Sequence, residues 1–138
     1  MTDMSDFNRR VIAEFRANGG KVGGSFEGAS LVLLTTTGAK TGRKRTTPLA
    51  CQPGEDVLYV FASKAGAPTH PDWYHNVVAN PEVEVEFGEE KFAAVATPVE
   101  RAERDRIYAA QVAIMPGFGD YAKNTDRVIP VVALRRTP

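Results

Sequence analysis

Between residues 31 and 48 the chain reads LVLLTTTGAKTGRKRTTP, and this stretch restricts the fold more than any other. Residues 31–37 are all aliphatic or β-branched, Gly38 and Gly42 interrupt, and residues 44–50 resume an extended pattern. The segment is therefore expected to form a strand, a tight loop and a second strand. Lys40, Arg43, Lys44 and Arg45 crowd the loop, and no acid stands between Glu27 and Glu55. The whole chain balances 17 Lys and Arg against 17 Asp and Glu, so the crowding is local. Backbone N–H groups near glycine and fork-shaped guanidinium donors meet here, as in a seat for phosphate or several carboxylates. A merely solvated hairpin tip is the alternative that this stretch leaves open. It is not a nucleotide P-loop, which needs Gly-x-x-x-x-Gly-Lys-Ser/Thr between a strand and a helix.

The length of 138 residues implies one domain, residues 1–138, with a single core. A hydrophobic share of 43% and a charged share of 25% belong to an ordinary globular chain and exclude disorder. Zero net charge disfavours binding to nucleic acid through a basic surface. Cys51 is the only cysteine, so no internal disulfide forms, and its strand context makes it a small core residue. No apolar run approaches the ~20 residues of a membrane span, and no signal-peptide pattern opens the chain. The expected compartment is the cytoplasm.

Residues 5–17 read as a helix with Met4, Phe7, Val11 and Phe15 on one face. Asn18-Gly19-Gly20 ends it with a left-handed cap. Peripheral contact with a membrane surface through this helix is a weaker alternative to covering the core or a partner subunit. The glycine-dense run 19–24 has no strand before it, which excludes a dinucleotide fingerprint and leaves a flexible connection. A turn at Pro53-Gly54-Glu55 leads to a third strand, 56–62, apolar on both faces. The polar break Ser63-Lys64-Ala65-Gly66 follows, where either an ordinary turn or ligand contacts would sit.

A short helix at 71–79 has Pro71 in its first position and Trp73, Asn76 and Val77 on one face. Trp73 is either a core anchor or the wall of an aromatic-ligand pocket. His70 and His75 have no cysteine nearby, so no metal site is expected, and both read as surface or capping residues. Residues 82–87 (EVEVEF) alternate strictly, with the valines and Phe87 inward and the glutamates on a wet face. Gly88-Glu89-Glu90 turns the chain into a fifth strand, 92–95. Thr97-Pro98-Val99-Glu100 fits a capping box for a helix running to about residue 114, with Ile107, Ala110 and Ile114 inward. Glu100–Arg104 and Arg101–Asp105 are its expected surface pairs. Residues 118–127 read as polar and irregular. Residues 128–134 read as a last strand, with Pro130 marking an edge or a bulge.

This order implies an α+β fold of about six mainly antiparallel strands with helices packed beside them. Curling into a small barrel would remove the open edges. TTTGAKTGRKRTTPL, FASKAGA, HPDWYHNVVANPEVEV and GFGDYAKNTDRVIPVVAL together closely resemble the deazaflavin-dependent nitroreductase family, reductases that use coenzyme F420. The resemblance spans residues 16–134 and implies the split β-barrel shared with FMN-binding proteins. That coenzyme joins a deazaflavin ring to a phosphodiester and an oligoglutamate tail. The resemblance puts phosphate and tail at Lys40, Thr41, Arg43 and Arg45, with Ala39 also on the coenzyme. It lines the ring with Arg45, Thr46, Thr47, Pro48, Phe61, Ala62, Ser63, Lys64, Asp72, Trp73, Tyr74, His75 and Asn76. Tyr121 is the implied substrate contact, with Tyr121 or water as the expected proton donor, and Phe118 stands where some members carry a second tyrosine. The implied activity is hydride transfer to a small electron-poor substrate: a quinone, an activated enone or a nitroaromatic. FMN as cofactor, or a carrier without turnover, are the rival readings, and related barrels often pair as homodimers.

Overall fold

The computed structural model describes residues 6–23 and 30–138. Among these, the element order is α1 (Asp6–Ala17), β1 (Leu31–Thr37), β2 (Lys44–Gly54), β3 (Val57–Phe61), α2 (Asp72–Ala79), β4 (Glu82–Phe87), β5 (Glu90–Pro98), α3 (Arg101–Ile114), α4 (Gly117–Lys123) and β6 (Val131–Arg136). The six strands close into a barrel in the order β1-β2-β3-β6-β5-β4, and every neighbouring pair is antiparallel. Closure satisfies the strand edges that an open sheet would leave bare. The α+β split-barrel expectation holds.

Side chains alternate across each strand, and this alternation sorts the apolar residues into three cores. Val32, Leu34, Cys51, Leu58, Val60, Val83, Val85, Ala94, Ala96, Val132 and Leu134 fill the barrel. Trp73 and Val77 of α2 join them, so α2 packs into the same core. Leu31 and Leu33, on the outer face of β1, lie under Ile12 and Phe15 of α1. Phe61 and Val131 pack outside β3 and β6 against Ile107, Tyr108, Phe118 and Ile129. Each large apolar side chain buried in this way contributes about 1.5–3 kcal/mol. The outer face of β4 stays wet, as its alternation predicts, and Glu84 meets Lys44 at 2.9 Å and Lys91 at 3.5 Å.

Several expectations need correction. In α1 the buried residues are Val11, Ile12 and Phe15, while Phe7 is 49% exposed. The outward leucines of β1 select this stripe, and Met4 and Ser5 lie outside the described residues. The glycine cap is present: Gly19 and Gly20 have φ of 63° and 96°, and Gly20 N–H donates to the Phe15 carbonyl at 2.8 Å. Gly24 and Glu27 lie outside the described residues. Pro53 and Gly54 remain in β2 opposite Leu58 and Val57, so the turn falls at Glu55 and Asp56. Pro71 is the residue before α2 rather than its first helical residue.

The fifth strand is longer than expected, because Thr97 and Pro98 find ladder partners in Ala133 and Val132 of β6. The capping box is therefore absent, and α3 starts at Arg101 with no side-chain cap from Glu100. Its inner face is Ile107, Tyr108 and Gln111, not Ala110 and Ile114, and Ile114 is 65% exposed. Arg101 pairs with Asp105 as expected, whereas Arg104 turns to Asp105 and donates to the Ile129 carbonyl at 2.8 Å. Residues 117–123 form α4 where irregular chain was expected. β6 starts after Pro130, whose carbonyl accepts from Ala62 N–H at 3.0 Å, so the proline is neither in the strand nor a mark of an edge.

Candidate functional site

The loop between β1 and β2 is held in shape by α2. Ala39 N–H donates to Asn76 Oδ1 at 2.9 Å, and Asn76 Nδ2 donates to Thr36 Oγ1 at 3.2 Å. Asn80 Nδ2 adds a bond to the Thr37 carbonyl at 3.3 Å. Asn76 is buried, and buried amides of this kind are kept by satisfying both ends. Within the loop, Gly38 N–H meets the Arg43 carbonyl and Gly42 N–H the Gly38 carbonyl, at 2.8 and 3.0 Å.

A cavity of about 510 Å³ opens between this loop and α2. Gly38, Ala39, Lys40, Thr41, Arg43, Arg45, Asp72, His75 and Asn76 line it. The one carboxylate among these described lining residues, Asp72, stands 3.3 Å from Arg45. Among the described residues, Lys40 and Arg43 have no carboxylate within ion-pair distance. Cations gathered around one cavity repel each other unless an anion joins them, so the donor set suits a polyanion. The phosphodiester and carboxylates of coenzyme F420 fit that chemistry.

A second region lies where β3 ends. Residues Lys64–Gly66 form a short 3-10 turn with Lys64 at φ 46° and Gly66 at φ 80°. A Cβ on Gly66 would stand 2.8 Å from the Tyr121 carbonyl oxygen, so only glycine lets α4 come this close. The Arg127 guanidinium donates to the carbonyls of Ala62 (3.0 Å), Ser63 (2.7 Å) and Ala67 (2.9 Å). It also meets His70 Nδ1 at 3.0 Å. Arginine can only donate, so Nδ1 accepts and His70 carries its proton on Nε2. Burial first, then Arg127 and His75, hold the His70 pKa below its ordinary 6.5. Burial likewise lowers the Arg127 pKa.

α4 is fixed from its other side by α3. Tyr108 Oη donates to the Phe118 carbonyl at 2.6 Å, and burial raises the Tyr108 pKa. Phe61, Tyr108 and Phe118 pack edge to face, with centroids 5.4 to 6.2 Å apart. Tyr121 extends this cluster, 5.2 Å from Phe118, and is half-buried.

The site residues expected from the sequence thus fall into two groups. Ala39, Lys40, Thr41, Arg43, Arg45, Asp72, His75 and Asn76 meet at the hairpin cavity. Phe61, Ala62, Ser63 and Lys64 lie at the β3 exit, with Phe118 and Tyr121 on α4 packed beside that region. Thr46, Thr47 and Pro48 continue along β2 opposite Thr35, Leu34 and Leu33, and the Thr46 and Thr35 hydroxyls are 2.8 Å apart. Trp73 is 5% exposed within the barrel core, and Phe118 is 6% exposed in the outer aromatic cluster. The Tyr74 ring packs tilted against His70 at 4.8 Å, and His75 reaches His70 at 5.8 Å, which links the two groups.

Arg127 and His70 were not anticipated as a pair, since 57 residues separate them and no local pattern marks either. Burial pushes the Cys51 thiol up to about 12, in keeping with a core role. Among the described residues no cluster of three or more His, Cys, Asp or Glu could hold a metal ion. None of the described helices is long and apolar enough to cross a membrane.

A family model for F420H2-dependent quinone reductases matches residues 7–136. An F420H2-dependent quinone reductase of Mycobacterium tuberculosis is 39% identical over 128 residues, covering 90% of this chain and 86% of that one. A solved structure of an F420H2-dependent reductase is 40% identical, covers 77% of this chain and 94% of its own, and superposes with a TM-score of 0.70. A second solved structure, described as a domain-swapped dimer, is 36% identical over 92% of this chain and 96% of its own, with a TM-score of 0.72. By the match along nearly all its length and by the barrel it forms, the chain belongs to the F420H2-dependent quinone reductase family, oxidoreductases that work with coenzyme F420.

Proposed function

We propose that the protein reduces a small electron-poor substrate, a quinone first and an activated enone or nitroaromatic second, with the coenzyme's acidic tail held at the hairpin cavity. The observation that carries this is the cavity itself: Lys40, Arg43 and Arg45 face one space where Asp72 is the only carboxylate among the described lining residues. One phosphate, as in FMN, would need fewer cations. Bound and reduced, the coenzyme supplies a hydride.

The chain's own residues do the rest. Lys40 and Arg43 bind phosphate and carboxylate oxygens, and Arg45 adds a fork-shaped donor beside Asp72. Asn76, bonded to Ala39 and Thr36, keeps the loop from closing on itself. The coenzyme ring is assigned to the side of residues 46–48, 61–64 and 72–76, where Phe61, Ala62 and Trp73 are buried beneath the surface. Tyr121 Oη gives a proton to the anion left on the substrate. Phe118 has no hydroxyl and supports Tyr121 by packing.

The similar domain-swapped dimer supports a homodimer for this chain as well, which sedimentation would show. The central test is gel filtration after mixing with F420 or with FMN, followed by oxidation of reduced F420 with menadione. Retention of F420 and its reoxidation at an enzymatic rate are expected. Retention of FMN instead, or binding of F420 without turnover, would replace this reading with one of its rivals.

A further inference from the structure

Arg127 lies outside the residues that the family resemblance assigns to coenzyme or substrate, yet the β3 exit is organised around it. The described chain contains no cis peptide bond. In a trans peptide the carbonyl and the following N–H point in opposite directions. Drawing the Ala62 and Ser63 carbonyls onto one guanidinium therefore turns the N–H groups of Ser63 and Lys64 the other way. Neither N–H has an acceptor among the described residues. Ser63 is half-buried and Lys64 is held in the left-handed region at φ 46°, a conformation that persists only where its surroundings impose it.

We propose that Arg127 is a positioning residue: by gathering the Ala62, Ser63 and Ala67 carbonyls and the neutral His70 ring on one side, it presents the Ser63 and Lys64 N–H groups as a fixed donor pair for an acceptor atom of the coenzyme's ring. This rests on the coenzyme site proposed above, with the ring beside residues 61–64. The clamp is complete only while His70 Nδ1 is unprotonated. A protonated ring could not accept, and would set a second positive charge against Arg127. The groups facing His70 are Arg127 from the segment before β6, and Tyr74 and His75 from α2. Lys64 Nζ donates to the hydroxyl of Thr69, the residue before His70, at 3.2 Å. None of these is a carboxylate that would stabilise the protonated ring, so acid opens the clamp.

The test uses two probes and the coenzyme-free protein. The probes are whole F420 and its ring–ribitol fragment, which has neither phosphate nor glutamate. Binding is read by fluorescence titration, and the backbone of residues 62–70 by amide hydrogen exchange. Arg127→Lys keeps the charge and loses the fork. It should weaken both probes by about tenfold, the size of one lost charge-assisted bond, and speed exchange in residues 62–70. Wild-type affinity for the fragment should fall as pH drops below about 6.5. His70→Asn, whose Oδ1 still accepts but does not titrate, should stay flat from about pH 5 to 8.

Arg127→Lys binding both probes as tightly as wild type would overturn the proposal while leaving the coenzyme site standing. So would unchanged exchange in residues 62–70. If Arg127→Lys does not fold, the pH profile of the wild type against His70→Asn decides, and matching profiles overturn the proposal. A wild type that takes up neither probe removes the coenzyme site itself, and the proposal with it.

Discussion

The hairpin cavity and the β3 exit are built on opposite physical terms. The hairpin tip gathers cations at the surface: Lys40, Thr41 and Arg43 are exposed, and the Arg45–Asp72 pair is open to water. Little of the protein's stability rests there, because exposed pairs contribute only about 0–1 kcal/mol. The β3 exit and α4 are instead packed and internally bonded. Phe61 and Phe118 are buried, one guanidinium serves three carbonyls, and Gly66 touches α4. A flexible, charged tail needs charge within reach. A ring that must meet a substrate in one orientation needs a wall that does not move.

That contrast can be tested by substitutions that strike one region and spare the other. The largest effect is expected from Tyr121→Phe, which keeps the packing and removes the hydroxyl. Turnover should fall by about 10²–10⁴-fold with the melting temperature little changed, and full turnover with every tested quinone would take Tyr121 out of the chemistry. Phe118→Ala should cost about 3–5 kcal/mol of stability in urea unfolding, because it empties the cluster with Phe61 and Tyr108. Tail binding should survive it, so weakened salt-dependent affinity in this variant would merge the two regions into one.

Arg45→Ala should act in reverse. It should weaken F420 binding by about 1.5–3 kcal/mol, flatten the dependence of affinity on salt, and leave unfolding nearly unchanged. Gly66→Ala should cost about 1–3 kcal/mol of stability, since the new Cβ meets the Tyr121 backbone at a positive φ. A silent Gly66→Ala would mean that α4 can retreat freely.

The smallest effect belongs to a contact remote from both. Arg16 bonds Glu86 at 3.0 and 2.8 Å and, mainly through those bonds, holds its carboxyl below the ordinary 4.5. A depressed folded pKa gives stability that is present above 4.5 and lost as pH falls through the folded value. Arg16→Ala should therefore cost less than about 1 kcal/mol near neutrality, and should remove that part of the acid-side decline seen by thermal melting.

Strands were more legible than helix faces. β1 is marked by an unbroken aliphatic and β-branched run and β4 by a pattern of period two that only one register satisfies, and both fall where those patterns put them. α1 and α3 offered more than one apolar stripe. Phe7 lost to Ile12, and Ala110 and Ile114 lost to Tyr108 and Gln111, because the face that turns inward depends on what the sheet beneath presents. α4 was missed since Gly117, Gly119 and Asp120 are poor helix formers, and its stability comes from the Tyr108 bond and the Gly66 contact. The cationic tip was visible because its charges are adjacent in sequence. The Arg127 clamp was not, because its acceptors lie 57 to 65 residues away.

The sequence by itself determined the strands, the cationic hairpin and the family, all of which rest on short-range patterns: alternation, turn residues and clustered charge. Only the tertiary structure decided which helix faces turn inward, that the barrel closes through β1 and β4, and that one arginine holds the β3 exit to the ring of His70. Those outcomes depend on which distant groups can satisfy a carbonyl or fill a gap, and no local stretch of chain contains that information.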